Sequence, residues 1–226
     1  EYFERRYNVF VWDAPAHASS WPFKFEFDLM DKAKWLNDIL EKEGIKHPVI
    51  VGQSMGGYVG QAYAEIYPKK LKGFVSIDSA PLENMYYAAW ELFCLKYTEG
   101  MYRSIPWNSL VQLSAAGNAE TAHGRAQMRN MMIGYTREEF CHLAGYGFRM
   151  LAEAIEACAR VSPMCPVLLL CGEHDRTGFV KRYNKAWTKR TGYPLVWIPK
   201  AGHNANVDNP HAVNAQIAHF LKFVEK

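Results

Sequence analysis

The residues best suited to chemistry lie in Val49-Ile50-Val51-Gly52-Gln53-Ser54-Met55-Gly56-Gly57, a G-x-S-x-G pattern set between a short apolar run and a helical stretch. A chain that turns this sharply from strand into helix lifts the serine hydroxyl above the sheet. Side chains two positions either side of it would collide, which suits glycine at 52 and 56. The helix N-terminus beneath adds backbone N–H groups and a partial positive charge. A serine of ordinary pKa is a weak nucleophile, so it needs a base within hydrogen-bond reach and an acid to orient that base. Two later loops offer both. The run Val167 to Cys171 leads into Gly172-Glu173-His174-Asp175, and Leu195 to Ile198 leads into Pro199-Lys200-Ala201-Gly202-His203-Asn204. In chain order these are Ser54, Asp175 and His203: nucleophile, acid, base. Asp78, just after an apolar run ending at Ile77, is an alternative acid. His174 adjoins Asp175, and neighbours on a turn point apart, so it reads as a surface residue; His17, His47, His123, His142, His211 and His219 read as surface or packing residues.

The elements that must position these groups follow from periodicity. Tyr7 to Trp12 is a β-branched and aromatic run ended by Asp13-Ala14-Pro15, and predicts a strand. Leu29, Ala33, Leu36 and Leu40 space an amphipathic helix over 28–43, stopped by Gly44. Strands are expected at 48–51, 71–77, 167–171 and 195–198, and helices at 55–67, 179–190 and from Pro210 onward, where Val213, Ile217, Phe220 and Val224 share a face. Strand and helix in alternation predict an α/β fold, a mostly parallel sheet with helices on both faces. Between about 80 and 161 the strand signals vanish and helical stretches rich in Met, Tyr, Trp and Ala replace them, as at 85–98 and 137–160. The expected organisation is a core formed by 1–80 and 162–226, with 81–161 inserted as a helical cap over the strand ends.

Composition excludes several other classes. The 226 residues are 49% hydrophobic and 22% charged, unlike a disordered chain. Against 23 Asp and Glu stand 26 Lys and Arg, spread without a basic run, so no nucleic-acid partner is expected. No apolar stretch approaches the roughly 18 residues of a membrane span. The five cysteines, 94, 141, 158, 165 and 171, show no metal spacing and read as buried thiols of a reducing, cytoplasmic compartment. No metal or organic cofactor is expected.

Together these motifs resemble a capped α/β-hydrolase of the esterase and lipase type, from Tyr7 to the C-terminus outside the helical block. Asp13-Ala14-Pro15-Ala16-His17-Ala18-Ser19-Ser20 is similar to the family's D-x-P-G-H-G-x-S turn after its fourth strand, with alanine in place of both glycines. That replacement predicts a changed backbone at the turn. The resemblance implies that the N–H of Met55 forms half of an oxyanion hole. It puts the second donor on the loop after the family's third strand, which is not in this sequence. It also makes the strand before Ser54 the family's fifth and Tyr7 to Trp12 the fourth, so strands one to three are missing. Because the third sits between the fourth and fifth, the expectation is a central gap, with roughly 30 to 50 upstream residues supplied by an N-terminal fragment or a second chain. A serine nucleophile implies carboxylic esters, thioesters, amides or some carbon–carbon bonds as targets.

Substrate hints come from the helical block. Met85, Tyr86, Tyr87, Trp90, Phe93, Tyr97, Met101, Tyr102 and Trp107, with Met128, Met131 and Met132, predict an apolar pocket and a small acyl ester as partner. A peptidase would place an acid there, for which Glu83, Glu91, Glu99, Glu138, Glu139 or Glu153 is available. A ligand receptor with little turnover is the alternative from outside enzymology.

Overall fold

The computed structural model describes residues 1–225. Its centre is a sheet of four parallel strands, β1 (Val49–Gln53), β2 (Gly73–Ile77), β3 (Val167–Gly172) and β4 (Leu195–Ile198), in that spatial order. Register is continuous across it: Gln53 lies opposite Ile77, Ile77 opposite Leu170, and Gly172 opposite Ile198. The strand C-termini therefore end at one level, where the loops bearing Ser54, Asp175 and His203 begin.

The pleat sorts side chains into two cores. Phe74, Val167 and Leu169 face a layer containing α1 (Leu29–Lys42), α2 (Met55–Ile66) and α8 (Val180–Thr191). The residues alternating with them, Val75, Ile77, Leu168, Leu170 and Ile198, face α9 (Ala205–Asp208) and α10 (Pro210–Val224). Both faces of β2 and β3 are covered, so β3 reads as an unbroken apolar run and β2 as one interrupted only by the buried Ser76.

Local signals set the helix ends. Asp28 caps α1 by accepting from the Asp31 N–H while the Asp31 carboxylate accepts from the Asp28 N–H, a reciprocal capping box. Gly192 ends α8 in the left-handed conformation at φ +76°, and Asn209 caps α10 ahead of Pro210.

Between β2 and β3 the chain forms α3 (Ala89–Lys96), α4 (Thr98–Ser104), α5 (Trp107–Asn118), α6 (Ala122–Ile133) and α7 (Arg137–Ala157). Leu110, Val111, Met132, Phe140 and Cys141 give this region a small core of its own. The stretch 85–98, expected as one helix, is a short 3-10 turn at Asn84–Tyr86 followed by α3, and the Glu91 carboxylate accepting from the Ala88 N–H marks the true helix start.

The expected strand at Tyr7 to Trp12 does not form. The segment belongs to no sheet, and Val9, Phe10 and Val11 are exposed. A strand is stabilised by its ladder and cross-strand neighbours, and nothing among the described residues pairs with this segment or with the outer edge of β1. Among the described residues, the outer edge of β1 is therefore open. The turn that follows also departs from expectation. Ala16 and Ala18 keep the left-handed backbone, at φ +66° and +44°, that glycine adopts more readily. The turn is fastened by Ser20 Oγ donating to the Asp13 carbonyl at 2.9 Å and the Ser19 N–H donating to the Asp13 carboxylate at 3.2 Å.

Candidate active site

Ser54 occupies the junction of β1 and α2 with φ +48° and ψ −115°, a conformation costly for a residue bearing a Cβ. The turn is held by the Ser54 N–H donating to the Ile77 carbonyl at 2.8 Å and the Gly57 N–H donating to the Ser54 carbonyl at 2.9 Å. A Cβ on Gly52 would lie 2.3 Å from the Gly56 carbonyl carbon, so the first glycine is sterically required. The predicted collision is one-sided, because a Cβ on Gly56 would meet nothing within 4 Å. The second crowded position is Gly57, where a Cβ would stand 2.5 Å from that of Ser79.

Three side chains predicted from sequence meet here. His203 Nε2 is 2.8 Å from Ser54 Oγ, and His203 Nδ1 is 3.0 Å from Asp175 Oδ2. Both His203 and Asp175 are buried, and the second Asp175 oxygen accepts from the Thr177 N–H at 2.8 Å. With Nδ1 donating to the carboxylate, Nε2 is left as an acceptor for the serine proton. Met55 opens α2, and an N–H at this first helical position has no acceptor within the helix.

Asp78 stands apart from this chain of hydrogen bonds. Its two oxygens accept from the Gly172 N–H at 2.7 Å and the Ala205 N–H at 2.9 Å, and neither bonds His203. The residue ties the end of β3 to the start of α9, and so joins the loops that carry Asp175 and His203. Burial pushes its carboxyl up to about 7, against the opposing pull of those N–H donors and of His203. Asp78, Cys171 and Asp175 bring their oxygen and sulfur atoms within 4.8 Å of one another. Both carboxylates already accept N–H bonds, and burial pushes the Cys171 thiol up, so these donors are committed within the protein.

Two further supports escaped sequence reasoning. The Gln53 amide donates to the His203 carbonyl at 2.8 Å, and the Asp208 carboxylate accepts from Gly202, Glu120 and Thr121 N–H groups, each at 2.9 Å. Gln53 was visible only as the x of G-x-S-x-G, and nothing in the sequence singled out Asp208 for the site. Their roles depend on partners distant in sequence.

A cleft of about 880 Å³ opens over Ser54 and extends toward α1 and the edge of β1. Phe25, Phe27, Tyr102, Met128, Tyr146 and Phe148 supply much of its apolar wall. Of the aromatic and methionine residues predicted for this role, Tyr102, Met128 and Met131 reach it, whereas Met132 is core and Met85, Trp90, Phe93, Tyr97 and Met101 are exposed. None of the six glutamates reaches it. Glu91 pairs with Arg182, Glu99 with Arg103, and Glu139 caps α7. Among the histidines, His174 is a loop residue beside Glu120 as expected, while His17 lines the cleft. All five cysteines are free; Cys141, Cys158 and Cys171 are buried as expected, whereas Cys165 is half-buried and Cys94 exposed. No helix among the described residues is long and apolar enough to cross a membrane.

An elbow serine above a parallel sheet, with its histidine and carboxylate on later strand-end loops, defines the class. The pattern of the α/β hydrolase fold family matches residues 1–210, and the chain belongs to that family. No curated protein matches the chain by sequence. Many solved structures share its fold. A thermophilic esterase from Thermogutta terrifontis with malate bound superposes with a TM-score of 0.68 at 19% identity, over 88% of this chain and 74% of that one. A structure from a study of carboxylesterases of the thaumarchaeon Nitrososphaera gargenis gives 0.67 at 16% identity, over 95% and 78%. The 2-hydroxy-6-oxo-6-phenylhexa-2,4-dienoate hydrolase from Rhodococcus sp. strain RHA1 gives 0.66 at 18% identity, over 86% and 72%.

Proposed function

We propose that the protein is a serine hydrolase that cleaves a carboxylic ester or related acyl bond through an acyl-enzyme intermediate. The observation that carries this reading is the continuous hydrogen-bond chain Ser54–His203–Asp175, with the serine held in a strained turn at the floor of an apolar cleft. In this reading Ser54 Oγ attacks the carbonyl carbon as His203 Nε2 takes its proton. The Asp175 carboxylate stabilises the resulting imidazolium, and the carbonyl oxygen, now negative, is met by the Met55 N–H. Collapse of the tetrahedral intermediate expels the alcohol, which takes the proton from His203. Water then gives a proton to His203, attacks the acyl carbon, and the acid leaves as Ser54 Oγ is reprotonated.

The helices α3 to α7 act as a cap in this scheme, since Tyr102, Met128, Tyr146 and Phe148 from them wall the cleft. Apolar walls favour an acyl group over a charged amine, and the absence of any Asp or Glu among the described lining residues disfavours an aminopeptidase. The solved relatives described as esterases support ester substrates; the dienoate hydrolase keeps carbon–carbon bond cleavage as the second reading. A panel of 4-nitrophenyl esters of increasing acyl length tests the proposal. Turnover with a defined optimum, abolished by Ser54→Ala, is expected. Folded protein inert across the panel would instead favour a receptor-like role.

A further inference from the structure

One cation in the cleft has no counter-ion. Lys32 lies on the inner stripe of α1 with Leu29, Ala33 and Leu36, is only 3% exposed, and is the one lysine or arginine among the described lining residues. Its neighbour on the same helix, Lys34, pairs with Asp31 at 3.1 Å on the outside. No ion pair or hydrogen bond among the described residues satisfies the Lys32 ammonium. The contact it has is the Phe27 ring, whose centroid is 5.2 Å from Nζ. His17, the nearby basic residue on the cleft, has Nδ1 2.9 Å from the Pro15 carbonyl, and burial holds its imidazole down toward the neutral form.

Largely desolvating an ammonium that has no protein partner is costly, and an apolar residue of similar length would avoid that cost. The surrounding cleft has aromatic walls and no Asp or Glu among its described lining residues, so its one fixed charge is unopposed. We propose that Lys32 is a specificity-determining residue that receives a carboxylate carried by the substrate away from the scissile bond. The substrate class is then the monoesters and related acyl derivatives of dicarboxylic acids, with the apolar walls holding the methylene chain. The Phe27 ring gives the ammonium a cation–π contact but no oxygen acceptor, so its N–H donors can serve an incoming carboxylate. Burial also brings Lys32 down to about 8, which leaves it mostly protonated at neutral pH.

This inference rests on the hydrolase reading, and the test separates the two. Pairs of 4-nitrophenyl esters of equal acyl length are compared, one ending in a carboxylate and one in a methyl group: glutarate against pentanoate, adipate against hexanoate, suberate against octanoate. The wild type is expected to prefer the carboxylate member of at least one pair by tenfold or more in kcat/KM. Lys32→Met should abolish that preference through KM, and Lys32→Arg should restore part of it. No preference in an active enzyme, or a preference that survives Lys32→Met, overturns the proposal. If no ester is turned over, the hydrolase reading fails on its own. Calorimetric titration of glutarate, adipate and suberate monomethyl esters into Ser54→Ala protein, with and without Lys32→Met, then decides for Lys32: binding lost with the lysine supports it, and binding unchanged or absent in both overturns it.

Discussion

Gln53 and His203, 150 residues apart, are joined by a side-chain amide that donates to a backbone carbonyl at 2.8 Å. In the proposed mechanism, the residue before the nucleophile therefore holds the residue that acts as base. A hydrogen bond of this kind is worth about 1 kcal/mol in stability, but a small displacement of the imidazole costs far more in rate than in folding. Gln53→Ala should lower kcat by about 10- to 100-fold with KM little changed, and steady-state kinetics beside a circular-dichroism melt checks it.

Asp78 and Asp175 are both carboxylates at strand ends, and only Asp175 reaches His203. Asp175→Asn should therefore cost about 10⁴-fold in kcat, by favouring the wrong imidazole tautomer. Asp78→Asn should act first on stability. The folded Asp78 carboxyl is raised from 3.8 to about 7, so its favourable contribution is complete below about pH 4 and lost as pH rises to about 7. The raised affinity for a proton corresponds to about 4 kcal/mol. Urea titrations of wild type and Asp78→Asn at pH 5 and pH 8 should show the variant more strongly destabilised, relative to wild type, at the lower pH.

The left-handed turn at Ala18 carries a strain that glycine would relieve. An L-residue pays roughly 1–2 kcal/mol in this region, partly offset by the greater unfolded-state entropy of glycine. Ala18 is exposed and so replaceable without repacking. Ala18→Gly should raise stability by about 0.5–1 kcal/mol, seen as a higher urea midpoint at unchanged slope.

Gly52→Ala makes the opposite case. Its methyl would sit 2.3 Å from the Gly56 carbonyl carbon, which is backbone and cannot swing aside. A loss of about 3 kcal/mol and of measurable turnover is expected. Gly56→Ala, with open space at its Cβ position, should be far milder. Thermal melts of the two variants side by side distinguish them.

Local chemistry was the part of this molecule open to sequence reasoning. β4 was legible at its full length because Leu195 to Ile198 is bounded by Pro194 and Pro199, and α1 because its apolar stripe ends at Gly44. Ser54, Asp175 and His203 were legible because each follows a strand signal in a recognised order. Tyr7 to Trp12 carries every local mark of a strand and is not one, since strand formation depends on a partner that composition cannot supply. The Asp78 clamp, the Gln53 tie and the burial of Lys32 depend on contacts made only when the chain has folded. Alanine at 16 and 18 concealed a left-handed turn, because residue type favours that conformation but does not determine it.

In the proposed mechanism Ser54 becomes covalently attached to substrate with His203 as its base. Intact-protein and peptide mass spectrometry after exposure to a fluorophosphonate tests it most directly. One adduct per chain is expected, mapped to the peptide containing Ser54, absent in Ser54→Ala and formed at least a hundredfold more slowly in His203→Ala. A folded protein that forms no adduct, or one labelled elsewhere, would contradict that mechanism.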